Sequence, residues 1–283
     1  LGVCYMYQEK TSDAQRYFQE VVRANPNHIN SYLNIGSIFL KKNQLKEAAN
    51  AYKKALTLKP DKAEIKHILS AIEKKKPSKK APQEFINALF DQYASYYDQH
   101  LLHHLQYQAH QLIHDHLDTD QWQEKNMDIL DLGCGTGLCG NLFTQYAKTL
   151  TGVDSSANMI QYAQYKNIYT ELVCNDISLT LNEDKRYDLI LAADVFTYFG
   201  DLYDILLQCY QCLHSGASIS FSVESTHTHS NYILQPSIRY AHKYSYLKSL
   251  LEQLHFSDIQ IHSVTLRHQY KNPVAGYIIT AKK

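Results

Sequence analysis

The chain has 283 residues, 45% of them apolar and 20% charged, with a formal net charge of zero. That length holds one large domain plus a small one, and the composition is ordinary for a globular protein. The neutral balance excludes a global basic field for nucleic acid or an anionic membrane, and no run of roughly eighteen apolar residues is present to span a bilayer.

The first elements repeat. Gly2 pairs with Gly36, Tyr5 with Phe39, Ala14 with Ala48, Phe18 with Tyr52 and Pro26 with Pro60, each pair 34 residues apart. Small Gly36 and Ala48 let two helices approach, Tyr52 fills the space beside them, and Pro60 ends the second helix. The pattern resembles the tetratricopeptide repeat, a helix–turn–helix unit of that length. Tyr32, Ile35 and Gly36 open its helix A, and Ala63 to Ile72 reads as a further helix covering the end. Because the chain starts inside a repeat, upstream sequence is expected. The repeats are read either as a groove for a protein or peptide partner or as a spacer or dimerisation module. Glu73 to Pro82, with five lysines and two prolines, reads as an exposed linker. This divides the chain into a helical repeat domain, 1–73, a basic linker, 74–82, and a second domain, 83–283.

Gln83 to His116 carries helical periodicity through Phe85, Leu89, Phe90, Leu101, Leu102, Leu105, Ala109 and Leu112. His100, His103, His104, His110 and His114 read as a solvated helix face, and no metal is expected. Met127 to Gly140, M-D-I-L-D-L-G-C-G-T-G-L-C-G, then reads as a short buried strand, a glycine turn and a helix start. Glycine leaves bare backbone that a ligand can approach. Gly135, Gly137 and Gly140 also satisfy the dinucleotide spacing G-x-G-x-x-G. Asp131 argues against that ligand, since a carboxylate at the strand end repels a pyrophosphate and suits an ammonium and a sulfonium.

D-L-G-C-G-T-G resembles the cofactor loop of class I S-adenosylmethionine-dependent methyltransferases. The resemblance implies S-adenosylmethionine as cofactor, held around Asp131, Gly133, Cys134, Gly135 and Gly137. Phe90-Asp-Gln-Tyr93-Ala-Ser-Tyr-Tyr97-Asp98 is similar to the lid preceding such domains. There an aromatic hydroxyl helps to hold the methionine carboxylate, and the matching positions are Tyr93 and Tyr97.

Leu150 to Val153 is a second strand ending at Asp154, whose carboxylate is placed to bind ribose hydroxyls. Asp154-Ser155-Ser156-Ala-Asn-Met159 matches the family's D-x-S-x-x-M, which implies that Met159 flanks the adenine. Leu172 to Cys174 is a third strand. After it Asp176 is implied to meet the adenine amino group, or else caps a turn. Tyr187 to Ala193 is the fourth, and Ala193 at its end should border the cofactor. A helix over Asp201 to Leu213, a strand over Ala217 to Val223, a helix around Leu247 to Leu254 and strands over Ile259 to Leu266 and Val274 to Thr280 follow. Alternation of this kind gives a mostly parallel sheet with helices on both faces. The resemblance implies a Rossmann-like α/β sheet of seven strands, the last antiparallel. A-A-D-V-F-T-Y-F-G-D-L, F-S-V-E, P-S-I-R-Y-A-H and G-Y-I-I-T-A-K-K are similar to bacterial methyltransferases that carry N-terminal tetratricopeptide repeats.

Glu224 to His242 is a long connection at the cofactor edge of the sheet, and functional groups gather on such loops. His242 is the candidate base, with Glu224 as its alternative, and Arg239 is a candidate grip on an acceptor carboxylate or phosphate. A pairing of Arg239 with Glu224 is the competing structural reading. The cysteines Cys4, Cys134, Cys139, Cys174, Cys209 and Cys212 are too sparse for a disulfide scaffold, which points to a reducing, cytoplasmic setting. Cys209 and Cys212, spaced C-x-x-C, fall on a helix face and read as packing. The expected function is methyl transfer to a small-molecule acceptor, without nucleic acid or membrane. The rivals are a protein methyltransferase, a cofactor-holding adaptor docked through the repeats, and a nicotinamide oxidoreductase.

Overall fold

The structure is a computed structural model that describes residues 2, 5, 10–75, 77–119, 122, 125–181, 184–269 and 272–283; Cys4 lies outside them. It divides into two compact units, one of Leu1–Ser78 with Leu234–Ile238 and one of Lys79–Ile233 with Arg239–Lys283.

In the first unit, α1 (Thr11–Ala24), α2 (Ile29–Lys41), α3 (Leu45–Leu58) and α4 (Ala63–Ile72) follow in turn. The repeat device is visible in the packing. A Cβ on Gly36 would lie 2.7 Å from the Tyr52 ring, and one on Gly2 would lie 2.7 Å from the Phe18 ring. Each small residue is therefore the seat of the aromatic sixteen positions later, which fixes how closely the helices pack. Ala48, Tyr52, Ala55, Ile65, Ile68 and Ile72 form the core between α3 and α4. Ile238 packs against this cluster with a positive φ of 65°, a conformation that a β-branched residue holds only under constraint.

The second unit is built on one sheet. Among the described residues it has nine strands. They are β1 (Met127–Leu132), β2 (Ala147–Asp154), β3 (Glu171–Cys174), β4 (Tyr187–Ala192), β5 (Leu213–Ser225), β6 (Tyr232–Leu234), β7 (Tyr240–His242), β8 (Ser257–Gln269) and β9 (Asn272–Lys282). The central order is β3-β2-β1-β4-β5, all parallel. β9 pairs antiparallel with β5, and β8 antiparallel with β9. Ile129–Leu132 and Leu189–Ala192 are buried without alternation, as strands covered on both faces are. The expected antiparallel closure is present. Seven strands become nine because the connection after β5, read as a loop, contains β6 and β7; β7 pairs parallel with the end of β5.

The periodic stretch 83–116 is also not one helix. α5 (Gln83–Tyr93) leads into a 3₁₀ turn at Ala94–Tyr96, a helical turn at Tyr97–Gln99 and a π turn at His100–His104, and α6 (Ala109–Asp115) follows a break. The break has a physical cause. The His268 N–H donates to Leu105 O at 2.7 Å, and the Gln108 N–H donates to Leu266 O at 2.9 Å. The edge of β8 captures backbone groups that a continuous helix would have used internally.

The stretch read as an exposed linker ends inside this unit. The Ala81 N–H donates to Tyr198 O at 2.9 Å and the Gly200 N–H to Lys79 O at 2.8 Å, with an antiparallel bridge between Lys80 and Phe199. Ala81 is 3% exposed.

Candidate active site

A cleft opens at the C-terminal ends of β1 to β4. Gly133 and Gly135 follow β1, Asp154 and Ser155 end β2, Asp176 follows β3, and Ala193 and Asp194 follow β4; all of them line it. Parallel strands bring their carboxyl ends to one edge, which is why residues far apart in sequence meet there. Ile86, Phe90 and Tyr97 from the lid segment and Tyr198 complete the wall.

Gly135 has φ +54°, and a Cβ built there meets nothing nearer than Tyr97 at 3.8 Å. Its absent side chain therefore leaves room inside the cleft. Gly133, φ +62°, serves packing, since its Cβ would lie 2.4 Å from Val195. The third glycine of the dinucleotide-like spacing is explained by Tyr169. A Cβ on Gly140 would come within 2.4 Å of the Tyr169 hydroxyl, so that glycine makes room for a side chain rather than for a phosphate.

Asp154 ends β2 beside the glycine loop. Its Oδ2 accepts from the Gly135 N–H at 2.9 Å and its Oδ1 from the Ser156 N–H at 2.9 Å. A carboxylate has about four acceptor positions, so these two bonds do not exhaust it. Burial pushes its pKa up to about 6 against the pull of those two N–H groups. Asp176 follows the turn-capping reading. It caps the short helix α9 (Ile177–Thr180), accepting from the Ser178 N–H at 2.9 Å, and it lines the cleft.

Other expected residues stand behind the wall. Asp131 is 1% exposed and lies beneath the loop, where the Tyr169 hydroxyl donates to it at 2.7 Å. Burial raises its pKa to about 7 although Tyr169 and the Gly140 N–H oppose the shift. Cys134 is buried, with its N–H on Val153 O at 2.9 Å, and burial pushes its thiol up. Gly137 caps α7 (Leu138–Phe143) with φ 89°. Met159 is fully buried on α8 (Ala157–Lys166). Tyr93 bonds His100 and packs edge-on to Tyr97 with ring centroids 4.9 Å apart; Tyr97, not Tyr93, lines the cleft.

On the acceptor side the structure separates the three candidates. His242 is 0% exposed. Its Nε2 bonds Gly200 O at 3.1 Å, its ring stacks at 15° on Tyr246, and burial lowers its pKa to about 4. It does not line the cleft, so its reading as a base loses geometric support. Glu224 is 3% exposed and bonds the buried Arg267; Arg267 also donates to both oxygens of Asp194, at 3.2 and 3.3 Å. Arg239 does not line the cleft either; it approaches Glu224 only to 3.9 Å and Asp194 to 4.0 Å, and it reaches the site through its Nε, which donates to the cleft-lining Tyr198 hydroxyl at 3.4 Å. The expected competing pair, Arg239 with Glu224, is thus a loose one, and Arg267 is the principal partner.

Sequence reasoning missed Arg267, Tyr169, Lys80 and the two lid clasps. Asp91 accepts from the Ser156 hydroxyl at 2.5 Å, and Asp98 bonds Thr136 and accepts from Lys166 at 2.9 Å. Asp91 and Asp98 bracket the lid stretch already singled out, which was a usable signal. Arg267 sits in a strand with no distinguishing spacing.

Comparison with known proteins agrees with this architecture. The family model described as a methyltransferase domain matches residues 101–269, and the tetratricopeptide-repeat model matches residues 29–62. A malonyl-[acyl-carrier protein] O-methyltransferase of Acetivibrio thermocellus is 34% identical over 113 residues, 38% of each chain. A ubiquinone biosynthesis O-methyltransferase of Coxiella burnetii is 26% identical over 102 residues, 35% of this chain and 44% of the relative. The chain thus spans less than half the length of these curated relatives. Among solved structures, magnesium protoporphyrin IX methyltransferase from Synechocystis PCC 6803 with bound SAH superposes with TM-score 0.54 at 14% identity, covering 71% of this chain and 99% of that one. The Burkholderia thailandensis 1,6-didemethyltoxoflavin-N1-methyltransferase gives 0.52 at 20% identity, covering 72% and 90%. These likenesses concern the fold. The family match covers more than half of the chain, and the chain belongs to the methyltransferase-domain family.

Proposed function

We propose that this protein transfers a methyl group from S-adenosylmethionine to a small-molecule acceptor. The observation that carries the reading is the wall of the cleft. Open backbone at Gly135 stands beside Asp154, Asp176 and Asp194, with Lys80 the one ammonium among the described lining residues. Gly140, the third glycine of the dinucleotide-like spacing, makes room for Tyr169 rather than for a phosphate, which favours this cofactor over a nicotinamide one despite the spacing.

The chain's residues bind and orient. Asp154 takes the ribose hydroxyls on its spare acceptor positions, Asp176 takes the amino group of the base, and Ser155 and Ala193 form the floor. Tyr97, braced by Tyr93, is the lid hydroxyl for the amino-acid end. When bound, the sulfonium supplies an activated methyl group together with its own leaving group. The protein's part is then alignment and exclusion of water. Asp91 on Ser156 and Asp98 on Thr136 fasten the lid segment to the loops it covers. On the acceptor side Arg239, presented by Tyr198, is the residue we assign to hold a polar group of the substrate. Glu224 and Arg267 maintain the wall behind Asp194.

We take the unit that begins at Lys79 as the catalytic module and 1–73 as a separate repeat module for a protein or peptide partner. The cytoplasm is the proposed setting, in keeping with cysteines too sparse in the sequence for a disulfide scaffold. Among the described residues no helix is long and apolar enough to cross a membrane.

Calorimetry tests the cofactor: S-adenosylhomocysteine should bind with a dissociation constant in the micromolar range, about −8 kcal/mol, and NADH should not compete. Binding of NADH in preference would overturn the reading. Labelled methyl cofactor added to a cell extract should then place label in small molecules; label in protein of fixed mass would favour the protein-methyltransferase alternative, and no transfer the adaptor.

A further inference from the structure

The lysine run between the repeats and the lid is not spent as a linker. Lys79, Lys80 and Ala81 run as a strap along the segment after β4, held by the backbone bonds of Ala81 to Tyr198 and of Gly200 to Lys79. The strap places Lys80 on the cleft wall beside Ile86, Ile177 and Phe199. Its Nζ donates to both oxygens of Asp176, at 2.6 and 3.0 Å, and lies 4.9 Å from the centre of the Phe199 ring. An apolar slot bounded by Ile86, Ile177 and Phe199, with an ammonium–carboxylate pair on its edge, suits a flat neutral heterocycle that carries an exocyclic amine.

We propose that Lys80 is a cofactor-positioning residue that acts through Asp176, so that the strap forms the third wall of the base-binding slot. The inference rests on the proposed cofactor reading. The physics has two parts. A carboxylate beside apolar side chains is costly to keep ionised unless a partner offsets its desolvation. Here Lys80 and the Ser178 N–H more than offset burial and hold the Asp176 carboxyl below its ordinary range. A side chain tied by two directions, the ammonium on one side and the helix-cap N–H on the other, also keeps its remaining acceptor positions aimed at the slot. Without Lys80 the carboxylate would meet the base as an uncompensated charge free to swing to solvent.

The test is a double-mutant cycle on the full chain, read by calorimetry with S-adenosylhomocysteine. Lys80→Met should weaken binding about tenfold or more, while Lys80→Arg should keep it within about threefold. Asp176→Asn should weaken it similarly, and the double variant should bind about as Asp176→Asn alone, because neighbours that act as a unit do not add. Between about pH 6 and about pH 4 the wild type already loses affinity through Asp154, and Lys80→Met should fall further than the wild type, because the unsupported Asp176 carboxyl also takes its proton there. Equal binding by Lys80→Met and wild type, or strict additivity in the cycle, would overturn the proposal while the cofactor reading stands. Failure of the wild type itself to bind S-adenosylhomocysteine would instead overturn the cofactor reading, and the proposal with it. Thermal unfolding of each variant serves as the control: a Lys80→Met chain that unfolds early yet binds normally when folded counts against the proposal.

Discussion

The affinity for the cofactor should depend on the ionisation of Asp154. Its pKa of about 6 arises first from burial and is restrained by the N–H groups of Ser156 and Gly135. Only the ionised carboxylate has acceptor positions left for two hydroxyl donors once those N–H groups are served. With a pKa near 6, roughly one molecule in eleven carries the carboxylate at pH 5 and nearly all do at pH 8. The dissociation constant of S-adenosylhomocysteine should therefore be about tenfold larger at pH 5 than at pH 8, a cost of about 1.4 kcal/mol. Asp154→Asn offers a single oxygen, so either the loop N–H groups or the ligand lose an acceptor. It should bind about ten- to a hundredfold more weakly at pH 8 and show no pH dependence from this site. Calorimetry at four or five pH values, with circular dichroism to confirm the fold at each, measures both. A wild-type affinity that is flat from pH 5 to 8, or an Asn variant with unchanged affinity, would refute the assignment of Asp154.

Three further outcomes are expected. Asp131→Asn should stabilise the chain at alkaline pH: a folded pKa near 7 means stability that is full below about pH 4 and lost as the pH rises through 7. The variant's advantage in chemical denaturation should accordingly grow up to about pH 7 and then level at something on the order of 4 kcal/mol, and a pH-independent difference would contradict it. Gly135→Val should abolish measurable cofactor binding, since it adds strain at a positive φ of 54° and fills the cleft; normal binding would move the ligand elsewhere. His242→Ala should act on stability, lowering it by about 2–4 kcal/mol through a cavity, whereas Arg239→Ala should raise the Michaelis constant for an acceptor. The reverse pattern of the two would restore His242 to the chemistry.

What was legible in the sequence is what is encoded locally. The strand–glycine–helix run, the acid ending β2 and the repeat spacing each sit within a few dozen residues, and each element type carries its own period. The closure of the sheet followed from the resemblance. The two short strands after β5 escaped because three-residue segments have no periodicity to read. The helical period over 83–116 does not show where the helix breaks, because an apolar period does not reveal that the β8 edge will claim the backbone of Leu105 and Gln108. Asp131 was read from chemistry at the strand end, yet whether a strand residue faces the ligand or the layer beneath depends on a period of two; Tyr169, 38 residues away, supplies the partner that settles its side.

The charged cluster behind Asp194 shows the same division more sharply, and it bears on function. Arg267 and Glu224 come from β8 and β5, 43 residues apart, and both are nearly excluded from water. A buried pair of this kind adds little net stability over an apolar packing, but removing one partner strands the other at a cost of several kcal/mol. Asp194 sits above it with a positive φ of 62°, a sparsely populated conformation that the Arg267 fork and the Ser222 hydroxyl, which accepts from the Asp194 N–H at 2.8 Å, together hold. The cluster therefore fixes the carboxylate of Asp194 on the cleft wall at the end of β4. Strain held in place by surrounding bonds at the mouth of a cleft is what a positioned, rather than a merely structural, side chain requires. It ties Asp194 to β5 and β8, strands far in sequence from the glycine loop.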